Sequence, residues 1–399
     1  MDFSLRWLRL SIAPVIVAGA TALLPAVVQA EPPDGKLSTG QTFSNSAGTL
    51  GYELYVPASY KAGTPVPLVI ALHGCTETAA AFRTLSHFDA VAAADGFIVA
   101  YPEQSTSKNP MRCWNFFTDA NMKRGAGEPA LIAGITKDLM NKYTVDPKRV
   151  FVTGLSAGAG MSTVMGTTYP DLYAAIGVGS GCEYSSGAAC AGYKGDDPEA
   201  AGKRAYAAMG SYARPVPFLV TEGDQDTTVP PANADQVVRA QQVAADLSDD
   251  GKENGSVPTA PVKTVSGKAS GGRIYTVKYY SDGHGHELGE YWMVQGMGHA
   301  WSGGDPAAQY ADPAGPDESQ AMYDFFATHA MGDSGPALGG GGPKWPVWPT
   351  PPGGFRPPSA PTPPPGWPTQ PSGWPKPSIP TSPLPWPPHG QSNSRSKHA

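Results

Sequence analysis

Between residues 50 and 330, short unbroken apolar runs alternate with stretches whose apolar positions recur every three to four residues. The runs at 51–57 (GYELYVP), 67–74 (PLVIALHG), 96–102 (GFIVAYP), 149–154 (RVFVTG), 174–181 (AAIGVGSG) and 216–223 (VPFLVTEG) are strand-like. The most apolar of them suit strands buried on both faces. The helical period predicts helices over 79–95, 128–143, 157–168 and 233–247, with a closing helix over 316–330. Two further runs, 271–283 and 289–298, read as a strand pair turning at Asp282-Gly283. The polar, glycine-rich stretch 249–272 reads as a surface loop leading into that pair. Strand–helix alternation of this kind predicts an α/β fold, a doubly wound and mostly parallel sheet of about 300 residues.

The two ends of the chain depart from this pattern. In residues 1–30, Arg6 and Arg9 precede an apolar stretch that closes on Val28-Gln29-Ala30. That is the layout of a secretory signal peptide, so export is expected. No later run is long enough to span a bilayer, and stable membrane insertion is not expected. After Gly332, proline removes backbone donors and fixes φ, which rules out a packed helix or central strand. Residues 333–399 are expected to be disordered and locally polyproline II. They hold five of the nine tryptophans, Trp345, Trp348, Trp367, Trp374 and Trp386, and read either as a contact for a polymer or cell surface or as a spacer. The expected organisation is a signal peptide over 1–30, a catalytic domain over 31–332 and the tail over 333–399.

The formal net charge of −6, with no basic cluster, argues against a nucleic-acid partner. Four cysteines are too few to frame a small disulfide scaffold, and in an exported chain they read as two bridges stapling loops onto a core. Three pairings are possible. Cys182–Cys190 closes a short loop and is favoured, which leaves Cys75–Cys113.

The candidate chemistry lies where strands end. Gly154-Leu155-Ser156-Ala157-Gly158 joins an apolar strand to a helix, the layout of a nucleophile elbow, with the Ala157 amide available to an oxyanion. The same residues also suit a serine that caps a helix. Asp224 and Asp226 follow the strand at 216–223, and either could orient a histidine or shape a turn. His299 follows the last strand in a glycine-lined loop, so the order is serine, aspartate, histidine. His73-Gly74-Cys75 opens a loop after the strand at 67–74, where the second oxyanion donor belongs. The Cys75 amide is the candidate, with His73 and Gly74 shaping the loop. A Cys75–Cys113 bridge would pin it. His284 and His286 are close in sequence but lack a third ligand, and neither a metal nor an organic cofactor is expected.

Seven segments then make a resemblance specific: PLVIALHGCTETA, YPEQ, CWNFF, GAGEPALIAGI, DPKRVFVTGLSAGAGMS, YPDLYAAIGVGSG and GMGHAWSGG. Together, over residues 49–330, they resemble the polyhydroxybutyrate depolymerase-type esterases of the α/β-hydrolase superfamily. The resemblance implies Ser156 as nucleophile and His299 as base. It selects Asp226, because Gly223, Asp226 and Val229 fit a G-x-x-D-x-x-V motif that Asp224 does not. Glu222 stands where the family often has histidine. The resemblance also implies a substrate groove along His73, Trp114, Tyr184 and Trp301. A secreted serine esterase acting on poly(3-hydroxybutyrate)-like polyesters or their oligomers is the expectation. The alternatives are a feruloyl or acetylxylan-type carbohydrate esterase, an oxidised poly(vinyl alcohol) hydrolase, or a non-catalytic surface-binding protein.

Overall fold

The computed structural model describes residues 34–187, 190–192 and 197–338. The expected signal peptide, and the tail from residue 339 onward, lie outside the described residues. Within them, ten strands form one sheet: β1 (Gly35–Asn45), β2 (Gly48–Pro57), β3 (Val66–Leu72), β4 (Ile98–Glu103), β5 (Val145–Gly154), β6 (Ile176–Gly179), β7 (Phe218–Gly223), β8 (Lys263–Lys268), β9 (Ile274–Ser281) and β10 (Glu287–Val294). Their order is β1-β2-β4-β3-β5-β6-β7-β10-β9-β8. The stretch from β4 to β10 is parallel, and both flanks are antiparallel. This is the α/β-hydrolase fold.

The apolar runs occupy the middle because residues there need apolar partners on both faces. On β3, Leu68, Ile70 and Leu72 point to one layer and Val69 and Ala71 to the other, the two-residue period of a strand. The first layer is closed by α3 (Gly127–Lys142), α4 (Ala157–Thr168), α5 (Pro198–Met209) and α6 (Ala232–Asp250), through residues such as Leu131, Val164, Met209 and Val237. The second is closed by α1 (Ala79–Ser86), α2 (Phe88–Asp95) and α7 (Glu318–Ala327), where Phe326 stacks on Phe151 with ring centroids 4.7 Å apart. Each such fully buried side chain contributes about 1.5–3 kcal/mol.

Four features differ from the sequence expectations. The helix over 79–95 is two helices, because His87 takes a left-handed conformation (φ 57°) that no α-helix continues through. Part of 249–272 is strand β8, whose residues alternate between half-buried and exposed at the edge of the sheet. Strand β1 and helix α5 join the fold without having been marked by an apolar run. Finally, the folded body continues beyond Gly332. Glu287 donates its amide to the Pro336 carbonyl and Leu338 to that of Gly285, both at 2.8 Å.

Because β5, β7 and β10 run parallel, they end at one edge of the sheet, and the loops that follow them carry Ser156, Asp226 and His299. Among the described residues no helix is long and apolar enough to cross a membrane.

Candidate active site

Ser156 holds a backbone conformation that non-glycine residues rarely adopt, φ 57° and ψ −119°. It is clamped there by its neighbours. Leu155 donates its amide to the Leu72 carbonyl at 3.1 Å, and Ser156 donates its own to Gly179 at 2.9 Å. A methyl group on Gly154 would meet the Leu72 oxygen at 2.5 Å, and one on Gly158 would meet it at 2.1 Å. The two glycines therefore let the strand end, the helix start and the neighbouring loop come together. Strain of this kind costs about 1–3 kcal/mol and persists where surrounding contacts over-determine it. Although Ser156 occupies the cap position of α4, its hydroxyl makes no capping bond. The Ala157 amide, at the positive end of α4, finds no acceptor among the described residues.

The acid and base loops meet across β7 and β10. Asp226 Oδ2 accepts a hydrogen bond from His299 Nδ1 at 2.6 Å, while Oδ1 accepts the amides of Thr228 and Val229 at 2.7 and 2.9 Å. That bond places the proton on Nδ1 and leaves Nε2 to take a proton from a hydroxyl. Burial alone would raise the Asp226 pKa, but the His299 bond and charge and the two amides outweigh it, and the group lies below its ordinary value. Asp224 instead shapes a turn, accepting the Gly296 amide at 2.6 Å. Main chain joins the two loops directly: Gln225 donates to the Met297 carbonyl at 2.9 Å and Asp224 to that of Val294 at 3.2 Å. At Gly223 a methyl group would lie 2.3 Å from the Met297 oxygen, so only glycine permits this approach.

The loop after β3 supplies the facing wall. His73 is fully buried, which lowers its pKa to about 4 and keeps it neutral. Its Nε2 accepts the Gln104 amide at 3.0 Å, so Nδ1 carries the proton and donates to the Gly74 carbonyl at 2.7 Å. That carbonyl belongs to the same peptide plane as the Cys75 N–H, so the imidazole fixes the direction in which the Cys75 amide points. The Cys75 amide has no acceptor among the described residues. The loop is held further by the Cys75–Cys113 disulfide, and Cys182–Cys190 closes the second bridge.

The expected groove is where the structure departs most from the sequence reading. Trp114 is fully buried and donates its indole N–H to the His73 carbonyl at 3.1 Å. Trp301 is also fully buried, packed against Phe82 and Phe88 and bonded to Ser319 Oγ at 3.0 Å. Neither indole presents a face to a substrate, and His73 sits beneath the loop rather than along a groove. Tyr184 is half-buried with its hydroxyl on the Met122 carbonyl at 2.8 Å. In loops, an aromatic residue near a catalytic motif looks exposed in sequence, but here the helices and loops packed over it complete the core.

Two residues near the site were not anticipated. The buried Glu77 carboxyl accepts the Gly74 amide at 2.8 Å, and an acid three residues beyond a loop glycine was its local signal. Tyr310 bonds Thr76 Oγ1 at 3.2 Å and sets its ring edge-on to His299, with centroids 6.4 Å apart; nothing local in the sequence marks it. Among the described residues, no group of three His, Cys, Asp or Glu side chains could hold a metal ion. His286 pairs instead with Asp282 at 3.3 Å.

The profile of the family described as Esterase PHB depolymerase matches residues 50–249. The poly(3-hydroxyalkanoate) depolymerase C of Paucimonas lemoignei is 32% identical over 309 residues, covering 74% of this chain and 66% of its own length. The probable acetylxylan esterase A of Neosartorya fischeri is 38% identical over 204 residues, covering 48% of this chain and 54% of its own. A solved acetyl xylan esterase from Aspergillus awamori has a TM-score of 0.55 at 27% identity, covering 66% of this chain and 94% of that one. The alignments with the two curated relatives thus span about half to two thirds of those proteins' length.

Proposed function

Because the chain belongs to the PHB depolymerase esterase family, we propose that Ser156, Asp226 and His299 form its catalytic triad and that it hydrolyses short acyl esters on a carbohydrate polymer. It is a serine-type carboxylic ester hydrolase; the triad assignment and the substrate are the proposal. Ser156 Oγ attacks the ester carbonyl as His299 Nε2 takes its proton, and Asp226 holds the imidazole through Nδ1. The amides of Cys75 and Ala157 receive the oxyanion, each donor contributing about 3 kcal/mol to transition-state stabilisation. His299 then protonates the departing alkoxide, and water releases the acyl group from Ser156 by the same steps in reverse.

The observation that carries the substrate reading is the burial of Trp114 and Trp301. A solid polyester offers an extended apolar surface, and the aromatic platform that would suit it is absorbed into the core. Ester side chains on a soluble polysaccharide ask only for a small acyl site beside the nucleophile. The similarity to acetylxylan esterases supports this reading. A second reading, cleavage of a poly(3-hydroxyalkanoate), is favoured by the longer alignment with the Paucimonas enzyme. Action outside the cell is in keeping with the expected leader.

Acetate release from acetylated xylan, set beside feruloyl esters, polyhydroxybutyrate film and oxidised poly(vinyl alcohol), tests the choice. Erosion of the film without acetate release would reverse it. Ser156→Ala tests the chemistry itself: turnover of p-nitrophenyl acetate should vanish while the circular dichroism spectrum is unchanged, and retained turnover refutes the triad.

A further inference from the structure

Glu222 is the penultimate residue of β7, four residues before Asp226, and its side chain is wholly buried. Oε1 accepts the Gly223 amide at 2.9 Å and the Ser180 hydroxyl at 3.2 Å. Oε2 has no donor among the described residues. What stands within hydrogen-bonding reach of the Glu222 carboxyl is the carboxyl of Asp226. Asp226 is itself engaged by His299, Thr228 and Val229. As two anions, both groups would only accept, and Oε2 would be a buried acceptor without a donor beside a second negative charge. One proton resolves the conflict.

We propose that Glu222 is a positioning residue that stays a neutral carboxylic acid and donates a hydrogen bond to the Asp226 carboxylate, fixing the acid of the Asp226–His299 pair. This rests on the triad reading above and extends it to a fourth side chain. Burial drives the Glu222 pKa well above the ordinary range, the Asp226 charge adds to this, and the Gly223 and Ser180 bonds oppose it less. Two further ionisable groups stand on neighbouring elements. Tyr291 on β10 feels the same carboxyl, and Glu318 at the start of α7 accepts the Ser302 amide at 2.9 Å. His299 engages Asp226 through Oδ2. Among the described residues no lysine or arginine contributes to the Glu222 environment, so none of them would hold it as an anion.

The donated bond spreads the Asp226 charge, so the bond's loss leaves a more concentrated anion facing His299. A more concentrated anion favours the imidazolium, and the base is then protonated at a higher pH. Glu222→Gln keeps the shape, an amide donor for Asp226 and a carbonyl for Gly223 and Ser180. Glu222→Leu keeps the bulk without the donor. Glu222→Gln should retain kcat within about threefold and leave the acid limb of kcat/KM in place. Glu222→Leu should lose roughly tenfold to a hundredfold in kcat at unchanged KM, the worth of one hydrogen bond to a charged group. Its acid limb should move to higher pH.

Infrared difference spectroscopy of the wild type against Glu222→Gln gives a readout that survives a poorly folding leucine variant. The difference spectrum at neutral pH should hold the neutral C=O stretch of one carboxylic acid, the Glu222 contribution, while the stretches of Glu287, Glu290 and Glu318 are common to both proteins and cancel. Wild-type behaviour of Glu222→Leu, equal loss in Glu222→Gln and Glu222→Leu, or absence of the stretch would each overturn the proposal. Ser156→Ala and Asp226→Asn, run alongside, separate the two levels. If both are inactive while the Glu222 variants behave as wild type, only the positioning role falls. If either retains turnover, the triad reading falls and the positioning role with it.

Discussion

Replacing Glu77 with glutamine removes a titratable proton from beside the nucleophile and leaves the loop's hydrogen bond intact. Burial pushes the Glu77 carboxyl up to about 7, against the opposing effect of its bond with the Gly74 amide. Below that pH the group is neutral, and above it a negative charge stands in the loop that presents the Cys75 amide. The Cβ position of Gly74 lies 3.0 Å from Glu77 Oε2 and 3.5 Å from the Ser156 Cβ. At a separation of roughly 6 Å and an effective dielectric constant of about 20, two like charges repel by about 3 kcal/mol. An oxyanion carrying part of a charge therefore loses roughly tenfold to a hundredfold in rate as Glu77 ionises. The assay is kcat and KM for p-nitrophenyl acetate across about pH 5 to 9. Wild-type kcat should pass a maximum and fall with a midpoint near pH 7, while Glu77→Gln should hold its plateau into alkali. The glutamine carbonyl still accepts the Gly74 amide, so KM and stability should change little. Identical alkaline limbs in the two proteins would refute the reasoning.

Gly158→Ala places a methyl group 2.1 Å from the Leu72 oxygen and 2.6 Å from that of His73. Both are backbone, so a loss of about 3 kcal/mol or more is expected, read as a lower urea midpoint. Stability should also depend on pH through the buried carboxyls. Burial raises Glu318 to about 8, raises Glu287 with the help of the Glu290 charge, and raises Glu290 against its bonds with Trp292 and Glu287. A raised carboxyl binds its proton more tightly in the folded state. Its stabilisation is complete below the unfolded value and is lost as pH rises through the folded one. The slope is about 1.4 kcal/mol per pH unit for each group titrating, so Tm should fall from pH 5 to pH 9 and a rising Tm would contradict the assignment. Removing the Cys75–Cys113 bridge by a double alanine substitution frees a 38-residue separation. About 4 kcal/mol of stability should go with it, and activity should fall at temperatures where the fold persists, because the Cys75 amide loses its anchor.

The middle of the sheet was legible because strands buried on both faces cannot avoid continuous apolar sequence. The runs at 67–74 and 149–154 contain most of β3 and of β5. Helix α4 follows the Gly154–Gly158 turn over the expected residues. Edge elements carry no such obligation. Strand β8 reads KTVSGK and satisfies its geometry with backbone pairing to β9 alone. The break at His87 was invisible because neither glycine nor proline marks it. The meeting of Asp226 with His299 follows from chain order once β7 and β10 are known to be neighbours. The tryptophans misled for the opposite reason. Trp301 is covered by Phe82 and Phe88, more than 200 residues earlier, and no local pattern announces a partner at that distance.

The backbone stitching between the loops at Asp224–Asp226 and Val294–His299 separates reactivity from recognition. The spacing of Asp226 and His299 is set by peptide groups and a forbidden Cβ at Gly223, not by side chains that a new substrate would press to change. The fold thus behaves as a fixed reaction head with an exchangeable mouth. Substitutions on loops outside that frame should alter which ester is cleaved more than they alter the Asp226–His299 pair.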